Sequence, residues 1–309
     1  MKQEQSLRII SLLPSATEIL AALNLTSAMV GRSHECDYPP EIIDLPICTG
    51  AKLSTNQSSA EIDTEVQKLL QTALSIYEIN IEVIKQLKPT HIVTQDQCDV
   101  CAVTFADVTK AVATLAEPQP EIISLQPHTL ADVWGDITRV GTKLGIDPQP
   151  TLSKIQQRVE EYQQHSQRLL AKPRVATLEW LDPLMGSGNW IPELVELAGG
   201  EDIFGTKGKP SVYLSWQDLL TADPDVIIVM CCGFDLQRTK AEITAIMDIN
   251  PNWQKLRAVN SDRLYITDGN AYFNRPGPRL VESIEILAEI LHPDWFKLKH
   301  REIAWKRLN

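Results

Sequence analysis

Positive charge is in short supply: 29 Lys and Arg stand against 40 Asp and Glu, for a formal net charge of -11. A general nucleic-acid binder needs clustered Lys and Arg to displace counterions from phosphates, so that class is excluded. Long apolar runs are also lacking. None approaches the roughly 18–20 residues that cross a bilayer, and the chain is not expected to span a membrane. At the N-terminus the apolar run Ile9–Leu13 stops at Pro14. A secretory leader needs about 7–15 apolar residues and a small-residue cleavage site, so the pattern predicts a cytoplasmic protein. Six cysteines in 309 residues are too few for a disulfide scaffold. In the cytoplasm they would be reduced, and act as packing residues or ligands. The signatures G-x-S-x-G, G-x-x-x-x-G-K-[ST], H-E-x-x-H and G-x-G-x-x-G are all missing, so no catalytic activity is expected.

What is present is ordinary globular material, 43% hydrophobic and 22% charged, enough to bury a core and to exclude disorder. Short buried runs alternate with amphipathic ones. Strands are predicted over 8–13, 28–31, 91–95 and 121–125, and helices over 15–23, 59–87, 105–116 and 130–144. Ser15 or Thr17 is the expected cap of the first helix, with Glu18 completing a capping box. Residues 151–171 contain neither Gly nor Pro, and space Leu152, Ile155, Val159 and Tyr162 as one helix about 30 Å long. Strands over 174–178, 226–230 and 264–267 and helices over 190–198, 216–221 and 278–291 follow. Alternation of this kind predicts α/β architecture with parallel sheets. The boundaries read as an N-terminal lobe, 1–148, a connecting helix, 149–172, and a C-terminal lobe, 173–309. LKPTHIVTQ and ADPDVIIVM echo each other across the two lobes.

RIISLLPSATEILAALNL, VGRSHECDYP, LKPTHIVTQ, WIPELVELAGGEDIF and DGNAYFNRPGPR, in that order around a long helix, resemble the helical-backbone (class III) substrate-binding proteins of ABC importers. The vitamin B12-binding branch is the nearest likeness, and it covers residues 7–293. The resemblance implies two parallel-sheet lobes joined by one long helix, with a ligand cleft between them. It implies a cobalamin or other corrinoid ligand, bound without catalysis, and an ABC permease as partner.

Ligands of open parallel sheets bind beyond the carboxyl ends of the strands. His34, Glu35 and Tyr38 follow one predicted strand, and Trp180, Phe234, Tyr272, Phe273 and Arg275 follow others. Trp190, Tyr213 and Trp216 lie on nearby segments. A wide planar ligand needs aromatic walls and a few polar anchors, so all are candidate contacts. By the family pattern Trp180 and Tyr272 are the best-placed rings, and Arg275 is a donor to the ligand's rim. His34 is the candidate axial ligand, because neutral imidazole binds cobalt and iron. A soft metal site from His34, Cys36, Cys98, Cys101, Cys231 and Cys232 is the alternative, making the chain a receptor for a metal ion or chelate; thiol chemistry on a bound substrate is another. The family's docking carboxylates correspond to Glu82 and to Gln217, with Asp218 beside it. One docking charge is therefore missing or shifted.

Overall fold

The computed structural model describes residues 6–52, 57–71, 77–96, 104–115 and 117–308. The chain divides into two compact units, one of residues 1–57, 64–127 and 131–152, the other of 58–63, 128–130 and 153–309. The division falls inside the long helix. It also assigns two short pieces from the first half of the sequence to the second unit.

In the first unit the strands are β1 (Ile9–Ser11), β2 (Met29–Arg32), β3 (Thr49–Ala51), β4 (Tyr77–Ile79), β5 (His91–Gln95) and β6 (Glu121–Leu125). Four of them form a parallel sheet in the order β2-β1-β5-β6, while β3 and β4 pair antiparallel by themselves. The helices are α1 (Pro14–Ala22), α2 (Ser59–Gln71, of which Ser59–Asp63 groups with the second unit), α3 (Ile81–Leu87), α4 (Phe105–Ala113) and α5 (Leu130–Lys143, in this unit from Ala131 on). Ile10, Leu12, Cys48, Ile84, Ile92, Val108 and Val112 make one buried cluster. Each large aliphatic side chain there contributes about 1.5–3 kcal/mol. Burial pushes the Cys48 thiol up to about 12, so this cysteine is an inert packing group.

Two local expectations are corrected. The cap of α1 is Leu13, with no side-chain bond, and Pro14 takes the first helical position. Proline has its φ preset there and needs no N–H partner, so the helix starts without Ser15 or Thr17. The run 59–87 is also not one helix. It contains β4, after which Asn80 caps α3 by accepting from the Val83 amide at 3.2 Å.

The connecting helix α6 runs over Gln149–Ser166, about 27 Å at 1.5 Å per residue. It starts two residues earlier and ends five residues earlier than the sequence pattern indicates, and buries Leu152 and Ile155.

The second unit holds β7 (Arg174–Leu181), β8 (Leu184–Gly186), β9 (Glu201–Asp202), β10 (Val212–Tyr213), β11 (Val226–Val229), β12 (Leu264–Thr267) and β13 (Trp305–Arg307). The main path of its sheet is β10-β8-β7-β11-β12-β13. The β7, β11 and β12 strands are parallel, whereas β8, β10 and β13 run antiparallel at the flanks. Only two residues separate β7 from β8, and so short a link permits antiparallel pairing alone. The helices are α7 (Ile191–Leu197), α8 (Trp216–Ala222), α9 (Leu236–Ile249), α10 (Arg257–Asn260) and α11 (Leu280–Leu291).

The echo seen in sequence has a structural counterpart. The α3 helix ends on Lys88 at φ 45°, and α8 on Asp223 at φ 41°. In each case the left-handed residue precedes a proline that leads into a central strand, β5 or β11. Two buried carboxylates on α11 hold the C-terminal segment. Glu285 accepts from Arg158 Nη2 at 2.7 Å and lies 3.0 Å from His300 Nε2. Glu289 accepts from Trp305 Nε1 at 2.8 Å and from the Lys299 amide at 2.8 Å.

Candidate functional site

Beyond the carboxyl ends of β1 and β2 the first unit presents hydroxyls and an imidazole bonded to one another. Thr17 Oγ1 donates to Ser11 Oγ at 2.8 Å and lies 3.0 Å from Cys36 Sγ. Thr49 Oγ1 donates to Ser33 Oγ at 2.9 Å and stands 2.8 Å from His34 Nδ1. His34 Nε2 is covered, 3.2 Å from Glu35 Oε1 and without hydrogen-bond alignment to it. Tyr38 is exposed, and Cys36 is buried.

In the second unit the strand ends carry rings. Near the end of β7 the register shifts between Leu178 and Trp180, an irregularity that re-aims side chains. Trp180 is half-buried, its ring 5.3 Å from the buried Phe234 ring, and its Nε1 donates to the Ser59 carbonyl at 3.2 Å. The Arg238 guanidinium lies 3.7 Å over the other ring of that pair, Phe234.

After β12, Asp268 Oδ1 accepts from the Ala271 amide at 2.7 Å and caps the turn Gly269–Phe273. A Cβ on Gly269 would collide with the backbone of Met230 and Cys231, so only glycine lets this turn lie against the segment after β11. Tyr272 follows on the turn, half-buried, with Arg279 4.6 Å over its ring. Burial raises its phenol above the usual range. Arg275 is buried at 4% exposure, close enough to Asp268 to favour that carboxylate's charged form, though burial still raises the Asp268 pKa.

The remaining candidates are dispersed. Trp190 and Phe273 are interior, joined by a 3.0 Å bond from Trp190 Nε1 to the Phe273 carbonyl. Trp216 packs edge-on against buried Trp253, and Tyr213 is exposed on β10. Cys231 is buried, its thiol pushed up by desolvation, and Cys232 is partly exposed. Cys98 and Cys101 lie outside the described residues. Among the described residues no group of three or more His, Cys, Asp and Glu is arranged to hold a metal ion. Glu82 is exposed on α3, 2.8 Å from Lys85. Gln217 is exposed on α8, bonded to Thr221 at 2.9 Å. Asp218 is committed locally: it accepts from the Ser215 amide and hydroxyl in a capping box, and those bonds lower its pKa. Sequence reasoning missed Ser59, Arg238, Glu242 and Arg279. Their roles arise from contacts remote in sequence or from a helix, α9, that is not among the elements read from the sequence.

The family model described as periplasmic binding protein matches residues 9–271. The chain belongs to that family. The vitamin B12-binding protein of Vibrio cholerae serotype O1 is 26% identical over 290 residues, covering 90% of this chain and 86% of its own. The uncharacterized ABC transporter substrate-binding lipoprotein YvrC of Bacillus subtilis is 22% identical, with 94% and 81% covered. Among solved structures, the periplasmic heme-binding protein RhuT from Roseiflexus sp. RS-1 superposes with a TM-score of 0.68 at 22% identity, over 94% of this chain and 99% of that one. The class III architecture read from sequence is therefore the observed one.

Membership corrects the cytoplasmic placement. The periplasmic binding protein family and these lipoprotein and periplasmic relatives point to an extracytoplasmic location. An export leader is a separable targeting segment rather than part of the fold, so the pattern of residues 1–20 was a poor guide to compartment. No described helix is long and apolar enough to cross a membrane.

Proposed function

We propose that this periplasmic binding protein captures a corrinoid, cobalamin or a close analogue, outside the cytoplasm and delivers it without catalysis to an ABC permease. The observation that carries the reading is a pair of half-buried rings at strand ends of the second unit, Trp180 near the end of β7 and Tyr272 on the turn after β12, with buried Arg275 three residues from Tyr272. A corrin offers a broad apolar face ringed by amides. Flat aromatic surfaces fit the face, and a guanidinium fits the rim carbonyls. The relationship to the Vibrio cholerae vitamin B12-binding protein supports the same ligand class.

The proposed contacts Trp180, Tyr272 and Arg275 all belong to the second unit. Exposed Glu82 is the docking charge toward the permease, and Gln217→Glu strengthens docking by restoring a second. Calorimetric titration with cyanocobalamin, cobinamide and hemin tests the reading. Saturable binding of a corrinoid at about 1 μM or tighter, on the order of 8 kcal/mol, is expected. Saturation by hemin alone transfers the site to haem, and silence with all three at tens of micromolar rejects it.

A further inference from the structure

The Trp180 indole is held by a closed circuit of contacts that returns to one helix. Arg238 and Glu242 stand one turn apart on α9; burial lowers the Arg238 pKa, and the Glu242 charge opposes that. From Arg238 the circuit passes over the Phe234 ring at 3.7 Å, then to the Trp180 ring at 5.3 Å. It continues from Trp180 Nε1 to the Ser59 carbonyl at 3.2 Å, and closes from the Ser59 amide to Glu242 Oε1 at 2.8 Å.

Ser59 is 183 residues from Glu242 in sequence, yet Ser58–Asp63 groups with the second unit. This turn is preformed. Ser58 and Glu61 make a reciprocal cap, with Glu61 Oε2 accepting from the Ser58 amide at 2.9 Å and hydroxyl at 2.8 Å. The Ser59 amide is one of the donors that an α-helix leaves unsatisfied at its start, and a carboxylate there also meets the positive end of the helix.

We infer that Glu242 is a positioning residue: it pins the first turn of α2, and through the Ser59 carbonyl that turn fixes the orientation of the Trp180 indole. The inference rests on the reading of Trp180 as a ligand-stacking ring and extends it to the ligand's chemistry. With its only donor spent on Ser59 and one side turned to Phe234, Trp180 offers a ligand a π-face and no hydrogen bond. The group it receives is therefore a flat, apolar surface, and a polar substituent at that point is disfavoured.

The test is indole N–H exchange in protein labelled with ¹⁵N at its 7 tryptophans, the Trp180 signal being assigned by its loss in Trp180→Phe. Glu242→Ala removes the acceptor. Ser59→Pro removes the donor by a second route, at a first-turn position where proline is tolerated. Both variants are expected to exchange the Trp180 indole proton about tenfold faster or more, without change at the other six and with melting lowered by only about 2–4 °C. Cyanocobalamin affinity is expected to fall about 3–10-fold as preorganisation is lost. Unchanged exchange in both variants overturns the inference, and so does faster exchange with unchanged affinity. If the unmodified protein does not bind cyanocobalamin, the corrinoid reading fails, and the exchange arm alone decides the role of Glu242.

Discussion

At the carboxyl ends of their parallel strands, the two units put opposite kinds of surface. At the ends of β1 and β2, Thr17 bonds Ser11, and Thr49 bonds both Ser33 and His34 Nδ1. At the ends of β7, β11 and β12, the second unit sets Trp180, Phe234 and Tyr272, with Arg238 and Arg279 laid on two of the rings. Hydroxyls already bonded to one another gain little from a ligand, because each new bond replaces an old one. A half-buried ring has hydrophobic area still to bury. On the proposed reading, the rings of the second unit supply the binding energy.

Buried carboxylates differ in the same way, and they give the largest expected effects. Arg158 and His300 beside Glu285 hold its carboxyl down at about 2 despite burial. At neutral pH Glu285→Gln should cost about 3 kcal/mol in chemical denaturation. Because the folded pKa is depressed, that contribution is whole above about 4.5 and disappears as pH falls toward 2. Asp136 in the first unit behaves oppositely. Burial outweighs Arg139 and raises its carboxyl to about 6. The folded state then keeps a proton that the unfolded chain has lost. Stability should drop by roughly 2–3 kcal/mol as pH rises from 4 to 6, and Asp136→Asn should remove that slope. Equal slopes in both variants would erase the contrast.

Ligand binding sharpens the comparison next. Trp180→Ala and Tyr272→Ala should each weaken cyanocobalamin binding by about 2 kcal/mol, roughly 30-fold. His34→Ala should leave the bound ligand's visible spectrum unchanged, since Nδ1 is on Thr49 and Nε2 is covered. A spectral shift there would move the metal ligand to the first unit. Helix capping gives the smallest difference. Ser215→Ala should cost about 1 kcal/mol, because Ser215 caps α8 by accepting from the Asp218 amide. Ser15→Ala should be neutral or mildly stabilising within about 0.5 kcal/mol, because its buried hydroxyl has no partner.

Much of the fold was legible because central strands are short continuous apolar runs: 91–95, 121–125 and 264–267 match β5, β6 and β12 residue for residue. Flanking strands such as β8 and β10 are two or three residues long and carry no periodic signal. The stop at Asn80 hid inside a helical pattern, because an asparagine cap reads like any polar surface residue. The strand-end segments could be listed from sequence, as could the rings on them. What holds those rings could not be, since Ser59, Trp180 and Glu242 are brought together only by the tertiary fold.

The most direct measurement is a crystal structure of the protein with cyanocobalamin. The account predicts the corrin within about 4 Å of the Trp180 and Tyr272 rings, with the Arg275 guanidinium on a rim amide. A corrin seated away from both rings, or held through His34 with those rings empty, would contradict it.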